Sequence, residues 1–454
     1  MRTVLRSDRH WWRSKDGTGL LAGAPGTFFR VTEPGRAVLD AVEHGESVEQ
    51  SSLTSRLVAG GAAHPEPGTP VPADQLTVVI PCFAATPDVA ERVAHLASSL
   101  APLRCVVVDD ASPVTVNVEG HTVVRRDTNG GPGASRNTGL QHVTTPFVAF
   151  VDDDITVTAE GLLRLTGHFV DPDTAFVAPR IVTPAGRDSV SQYDAVRSPL
   201  DMGDRPARVR PRSSVPYVPS AVFVARTSAF DGDSRFDESM RYGEDVEFVW
   251  RAQDDTMQCR YEPSVEAEHL PRRGWGAFLA QRFRYGSSAA SIDARRPWSV
   301  APVQGNLFHV LPGLLLLLGQ SFWAVNAALV SVAVSMLTVR GFGLSFRSVM
   351  SVAWTSMRYS ARHTATAITR EWFPVFLVLS GFVPQFDFAF WLSLSALIFI
   401  DIVRRKPQNP ATFIVLRALD GFAYGAGVWA GAVRTRNLRC LVPRLSVRLK
   451  ARAA

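Results

Sequence analysis

Three carboxylates end an apolar run in "FVAFVDDDITV", where Asp152, Asp153 and Asp154 follow five buried-type residues. An acidic run at the end of a buried strand is costly unless a cation sits beside it. Asp152 and Asp154, spaced i, i+2, can converge on one divalent ion once the chain turns out of the strand. Mg²⁺ or Mn²⁺ takes few protein oxygens and fills its shell with phosphate oxygens, which suits a nucleotide diphosphate. The same acids also fit a capped turn with solvated carboxylates. A second acidic pair, Asp109 and Asp110, ends "VVVDDAS". A third, Glu244 and Asp245, opens "GEDVEFVWRA". Such a pair is either a favourable cap at a helix N-terminus or a general base that takes a proton from an attacking hydroxyl. In "NGGPGASRNTGLQHV", Gly130, Gly131 and Gly133 precede a helix that carries Arg136 and Asn137. A glycine-rich loop at a helix N-terminus is an anion site in principle, and arginine suits a phosphate or ribose. The pattern is neither GxGxxG nor GxxxxGK[ST], which excludes a dinucleotide fingerprint and a P-loop.

The elements that must position these groups follow from the hydrophobic pattern. "LTVVIPCF", "LRCVVVDDAS", "TVVRR" and "FVAFVDDD" read as near-continuous apolar strands, and "PDVAERVAHLASSL" as an amphipathic helix between two of them. This alternation predicts a parallel sheet covered by helices on both faces. Ligands bind at the carboxyl ends of such strands, where the Asp109–Asp110 and Asp152–Asp154 clusters both fall.

The 454-residue chain is long enough for two or three domains. Residues 1–66 predict a small α+β unit: two short strands, a helix capped by Thr32, and a second helix ending at glycine. A unit this small buries little core, so it is expected to dock on something or bind something. Residues 67–75 are a linker rich in Pro and Gly, and 76–302 hold the α/β domain. Residues 303–454 differ. "LFHVLPGLLLLLGQSFWAVNAALVSVAVSML" has no charge, and "WFPVFLVLSGFVPQFDFAFWLSLSALIFI" has only Asp387. At ~1.5 Å per residue each can span a bilayer of ~30 Å, the first as a bent or re-entrant pair and the second broken near Pro384. Residues 409–433, interrupted by Arg417 and Asp420, predict an interfacial rather than a spanning helix. From Gly421 onward there is no acidic residue against seven basic ones, including Arg448, Lys450 and Arg452. This asymmetry predicts a membrane protein with its basic flanks and catalytic domain on the cytoplasmic side, against anionic lipid. Net charge is +6, and nearly all of the positive charge is arginine. Four widely spaced cysteines without a CxxC pair predict reduced thiols, and the first residues contain no apolar signal segment. No nucleic-acid partner is expected.

"VVIPCF", "VVVDDAS", "GGPGASRNTGL", "FVDDDI" and "YGEDVEFVWR" occur in an order and spacing that resemble family 2 glycosyltransferases over residues 76–290. The resemblance implies a GT-A nucleotide-diphospho-sugar transferase fold. It implies that Pro81, Phe83, Asp109, Asp110, Arg136, Asn137 and Asp153 lie on the donor side. Asp152 and Asp154 would hold the metal, with His269 of "VEAEHLP" near it. Asp245, beside Glu244, would be the base. "QRFRYG" approximates the QxxRW motif of processive polymerases but lacks its tryptophan. Its Gln281, Arg284 and Tyr285 would face the acceptor, and the missing tryptophan argues against long-chain synthesis. The whole layout, with a small leading unit that resembles PqqD-like peptide-binding domains, is similar to the glycosyltransferases of the mycofactocin system. That resemblance implies an inverting, metal-dependent hexosyltransferase. It would move glucose from UDP-glucose onto a peptide-derived redox cofactor and build a short β-linked oligosaccharide. A membrane polysaccharide or lipid-linked sugar transferase of the cell envelope is the alternative.

Overall fold

The computed structural model describes residues 2–23, 26–230, 235–254, 257–271, 274–339, 342–447 and 452–453. Arg448 and Lys450 of the expected basic tail lie outside the described residues.

The leading unit has strands Arg2–Ser7 (β1), Trp11–Arg13 (β2), Gly19–Ala22 (β3) and Thr27–Arg30 (β4), then helix Glu33–His44 (α1), Ser47–Glu49 (β5), Ser52–Ala59 (α2) and Ala63–Pro65 (β6). β1 pairs with β5 and β6, while β2, β3 and β4 form an antiparallel meander. β1 and β2 were not foreseen, because "RTVLRS" and "WWR" are too short and too polar to stand out from a loop. Thr32 is the N-cap residue of α1 but its side chain makes no capping bond; Ser51 of α2 does, within a reciprocal capping box. The unit's small core, around Leu20, Phe29, Leu39 and Leu57, is extended by docking. Phe28 stacks on Phe342 with ring centroids 3.5 Å apart, and the Gly60 carbonyl accepts a hydrogen bond from Arg210 at 2.8 Å.

The central domain continues with Leu76–Cys82 (β7), Pro87–Ser99 (α3), Arg104–Asp109 (β8), Thr122–Arg125 (β9), Pro132–Leu140 (α4), Phe147–Val151 (β10), Ile155–Thr156 (β11), Ala159–Thr166 (α5) and Thr174–Val182 (β12). Ser189–Arg197 (α6), Ala207–Val209 (β13), Val222–Arg226 (β14), Glu244–Asp254 (α7) and Gln258–His269 (β15) complete it. The sheet order is β11-β15-β12-β14-β10-β7-β8-β9, with β13 added against β15. The four strands expected from the sequence are parallel neighbours. The other half departs from an all-parallel sheet, since β14 runs antiparallel to both β10 and β12. That reversal matters for the site, because it sets the loop ahead of β14 beside the carboxyl end of β10. There the Asp152 N–H donates to the Ala221 carbonyl at 2.8 Å. Two apolar layers, one on each face, bury β7 and β10 completely and β8 beyond its first residue, Arg104.

Helices follow: Trp275–Arg295 (α8), Leu307–Leu317 (α9), Ser321–Val339 (α10), Phe346–Thr369 (α11), Phe373–Ser380 (α12), Pro384–Arg405 (α13) and Pro410–Thr435 (α14). The two apolar segments each form a broken pair: α9 turns into α10 at Gly319 (φ +75°), and α12 gives way to α13 at Pro384. α10, α13 and α14 are long and apolar enough to cross a membrane. α14, expected to be interfacial, is thus also a candidate span, and the two charges that interrupt its sequence are paired inside the protein. The Arg417 Nε donates to Asp401 at 3.0 Å, and Asp420 accepts from the Tyr193 hydroxyl at 2.7 Å. Paired inside the protein, these charges no longer interrupt an apolar helix.

α14 lies along α8 at very short range. A Cβ at Gly286 would sit 1.9 Å from the Tyr424 carbonyl oxygen, and one at Gly427 would sit 2.0 Å from that of Phe283. The Gly286→Val change should therefore force the helices apart and cost ~3 kcal/mol. Gly276→Ala, where a Cβ would meet nothing within 4 Å, should be neutral or stabilising by up to ~1 kcal/mol. Thermal melting of the detergent-solubilised protein checks both. Equal melting temperatures for wild type and Gly286→Val would contradict the packing.

Candidate active site

The carboxyl ends of β7, β8 and β10, the loop ahead of β14, the start of α7, and helices α8, α11, α13 and α14 enclose one cavity of about 870 Å³. Pro81, Phe83, Asp110, Arg136, Asp152, Asp153, Asp154, Glu244, Asp245, His269 and Tyr285 line it. Asp109, Asn137, Gln281 and Arg284 do not.

The cation beside the acidic run is Arg136. Its side chain, 1% exposed, donates from one terminal nitrogen to Asp152 Oδ1 at 2.6 Å and from the other to Glu244 Oε1 at 3.1 Å. The guanidinium also lies 5.5 Å from the Phe236 ring centroid. α4 can carry it there because Gly131 (φ +85°) turns the chain into the helix and Gly139 lies against β7, where a Cβ would be 2.3 Å from Val79. Asn137, one residue on, turns away from the cavity. It clamps residues 236–238 through the Phe236 backbone and the Glu238 carboxylate. The glycine loop is not open to an anion. The N–H groups of Gly130 and Gly131 donate to the two oxygens of Asp110, at 3.0 and 2.7 Å. Asp109 is buried away from the cavity, held by Arg125 at 2.5 Å and the Ser112 N–H at 2.9 Å. Both acids thus build the site's frame, and only Asp110 also faces the cavity.

Asp153 is tied to α3, where Arg92 donates to its carbonyl at 2.8 Å. Asp154 meets His269: the two-residue strand β11 pairs with the end of β15, Ile155 opposite His269, and the Asp154 Oδ2 lies 3.4 Å from His269 Nε2. Among the described residues, no three His, Cys, Asp or Glu side chains group as a metal site. A carboxylate and an imidazole side by side, in a cavity that also holds Asp152, nevertheless fit a divalent ion that completes its shell with phosphate oxygens. The expected partnership of Asp152 with Asp154 is changed in one respect, because one oxygen of Asp152 is engaged by Arg136.

Asp245, at the start of α7, also faces the cavity. It accepts from the N–H of Val246 at 2.8 Å and of Ser220 at 3.3 Å. Burial raises its pKa, and Arg136 works against that rise. Burial also raises Glu244, with Asp245 the next cause. A buried carboxyl whose pKa is raised above the usual carboxylate range is a stronger base than a solvated one. On α8, Gln281 donates to the Tyr285 hydroxyl at 3.1 Å, while Arg284 stacks on Tyr242 with 6.0 Å to the ring centroid. The arginine of this motif that reaches the cavity is Arg282, which pairs with Asp194 at 2.5 Å and Asp420 at 3.0 Å. Sequence reasoning missed Arg282, Tyr217 and Tyr424. The last two sit in "PYVPS" and "FAYGAG", where a single tyrosine among small residues was the available signal.

Asp152 keeps 28% of its side-chain surface open to the cavity. Burial, with Asp154 and Asp153 adding to it against Arg136, pushes its pKa up to about 7. In an unfolded chain it titrates near ~3.9. Between these values the folded protein binds more protons, so this contribution is full below the lower value and lost as pH rises through the upper. With a chelator present, the melting temperature should fall between pH 5 and 8, and Asp152→Asn should flatten that fall. An unchanged slope in the variant would contradict the assignment.

A sequence model of the family described as Glycosyl transferase family 2 matches residues 77–230. A pre-mycofactocin glycosyltransferase of Mycobacterium tuberculosis (strain ATCC 25618 / H37Rv) is 34% identical over 450 residues, 95% of each chain. The succinoglycan biosynthesis protein ExoW of Rhizobium meliloti (strain 1021) is 38% identical over 104 residues, 20% of this chain and 32% of that one. Among solved structures, mannosyltransferase PcManGT from Pyrobaculum calidifontis, in complex with GDP-Man and Mn²⁺, is 15% identical. The match covers 82% of this chain and 89% of that one, with a TM-score of 0.42.

Proposed function

We propose a reaction from one premise: the chain belongs to the family of pre-mycofactocin glycosyltransferases, and its central domain is a family 2, GT-A-like glycosyltransferase. The reaction is transfer of a hexose, glucose from UDP-glucose, onto a peptide-derived redox cofactor precursor, with inversion, to build a short β-linked oligosaccharide. One observation carries this reading. The Asp154–His269 pair and the Asp245 carboxylate line the same cavity, so a donor diphosphate and an acceptor hydroxyl can be held in one space.

Asp154 and His269 would hold Mg²⁺ or Mn²⁺. When bound, such an ion supplies Lewis-acid neutralisation of the departing nucleoside diphosphate. Pro81, Phe83, Asp110 and Asp153 line the donor side. Arg136 positions Asp152 and Glu244 and so fixes the acids around it. Asp245 takes the proton of the acceptor hydroxyl as its oxygen bonds to the anomeric carbon. The bond from that carbon to the diphosphate oxygen breaks on the opposite face. A single base with no separate nucleophile gives inversion, so an α-linked donor yields a β-glycoside. The leading unit would act as a PqqD-like domain that holds the peptide part of the acceptor. The C-terminal helices would keep the catalytic domain on the cytoplasmic face of the membrane.

Asp245→Asn should lower transfer ~10²–10⁴-fold while UDP-glucose still binds; normal turnover would remove Asp245 from the role. Asp154→Ala should abolish the gain in donor affinity that Mn²⁺ brings, measured by calorimetry with and without the ion. Equal metal-dependent affinity in variant and wild type would remove Asp154 from the metal site.

A further inference from the structure

We propose that Tyr217, Tyr285, Tyr424 and Arg370 form an acceptor subsite for an uncharged pyranose ring, the terminal sugar of the growing glycan. This rests on the glycosyl-transfer reading above and adds how the acceptor is held and which part of the chain selects it. The C-terminal helices would then be a wall of the active site as well as an anchor.

All four side chains line the cavity that Asp245 faces. They come from four elements: the loop ahead of β14, α8, α14 and the C-terminal end of α11. Tyr217 shares the cavity with the base and the other two phenols and lies within electrostatic reach of all three. Burial first, then Tyr424, Asp245 and Tyr285, hold its hydroxyl above the usual tyrosine range, so it stays protonated and able to donate. The Arg370 guanidinium lies 4.2 Å from the Tyr424 ring centroid and is matched in charge by Glu371 at 2.5 Å.

The backbone is built to bring these groups together. Gly286 follows Tyr285, and a Cβ there would be 1.9 Å from the Tyr424 carbonyl oxygen. Gly425 follows Tyr424, and a Cβ there would be 1.8 Å from the Arg370 carbonyl oxygen. Tyr285 and Tyr424 are thus each followed by the one residue type that lets the next element touch its backbone. Any larger residue would part the walls.

The lining chemistry selects the ligand. Aromatic faces pack on the apolar face of a pyranose, and phenolic hydroxyls bond its rim. Charge does not fit as well. Arg370 is matched by Glu371, while Asp420 is engaged by the Tyr193 hydroxyl at 2.7 Å and by Arg282 at 3.0 Å. A charged acceptor would be desolvated there without a counter-charge at these residues.

The test uses the full chain in a detergent without a sugar headgroup, with methyl β-glucopyranoside as probe and no donor. Saturation-transfer NMR should show the ring protons contacting wild type. The signal should fall at least five-fold in Tyr424→Ala and in Tyr217→Ala, and return in Tyr424→Phe. In turnover assays with the same probe, both alanine variants should raise the acceptor KM at least ten-fold and leave the donor KM within two-fold. The proposal is overturned by equal probe signal in the alanine variants and wild type, by no probe signal with wild type, or by acceptor and donor KM rising together. UDP-glucose binding, measured on the same sample, tests the donor reading separately, because the probe experiment contains no donor.

Discussion

The arrangement of the active site depends on one buried cation. Arg136 is drawn almost fully out of water, and a buried guanidinium is tolerable only with carboxylates in hydrogen-bond range. Asp152 and Glu244 supply them, from the end of β10 and the start of α7. Each of these acids has a neighbour in the chain that faces the cavity: Asp154 two residues after Asp152, and Asp245 next to Glu244. Fixing the inner pair through Arg136 therefore fixes the outer pair. The group beside which Asp152 is stable is part of the protein, and Asp154 and His269 are the pair that the proposed reaction would assign to an external ion.

The same division of labour explains what could be read from the sequence. β7, β8 and β10 were legible because both faces of each strand are buried, which turns them into unbroken apolar runs. Asp152–Asp154 and Glu244–Asp245 were legible because acids at the ends of such elements are conspicuous. What was not legible is which of two adjacent acids faces the cavity. Asp109 and Asp110 look alike in sequence, but one closes on Arg125 and the other on the glycine loop. Arg136 was read as a contact for phosphate or ribose, and only the distances show both of its terminal nitrogens turned to carboxylates. Arg282 was passed over for Arg284 for the same reason. On a helix, neighbouring residues point about 100° apart, and nothing local says which direction is inward.

The C-terminal helices were legible as apolar segments but not as part of the site. α14 looked interrupted because Arg417 and Asp420 count as charges in any hydropathy sum. In the fold they are paired with Asp401, Tyr193 and Arg282, so the helix is continuous. Its glycines then bring α14 into backbone contact with α8 and with the end of α11. The cavity consequently has a GT-A-like floor and a helical roof, and neither half encloses it alone.

The most direct measurement is made in cells. The gene is deleted, and soluble extracts are compared with the parent by mass spectrometry for a ladder of hexose additions on a small peptide-derived molecule. The account predicts that the ladder collapses to an unglycosylated precursor and that wild-type protein restores it, while Asp245→Asn does not. An intact ladder, with an altered envelope glycan instead, would contradict the acceptor assigned here.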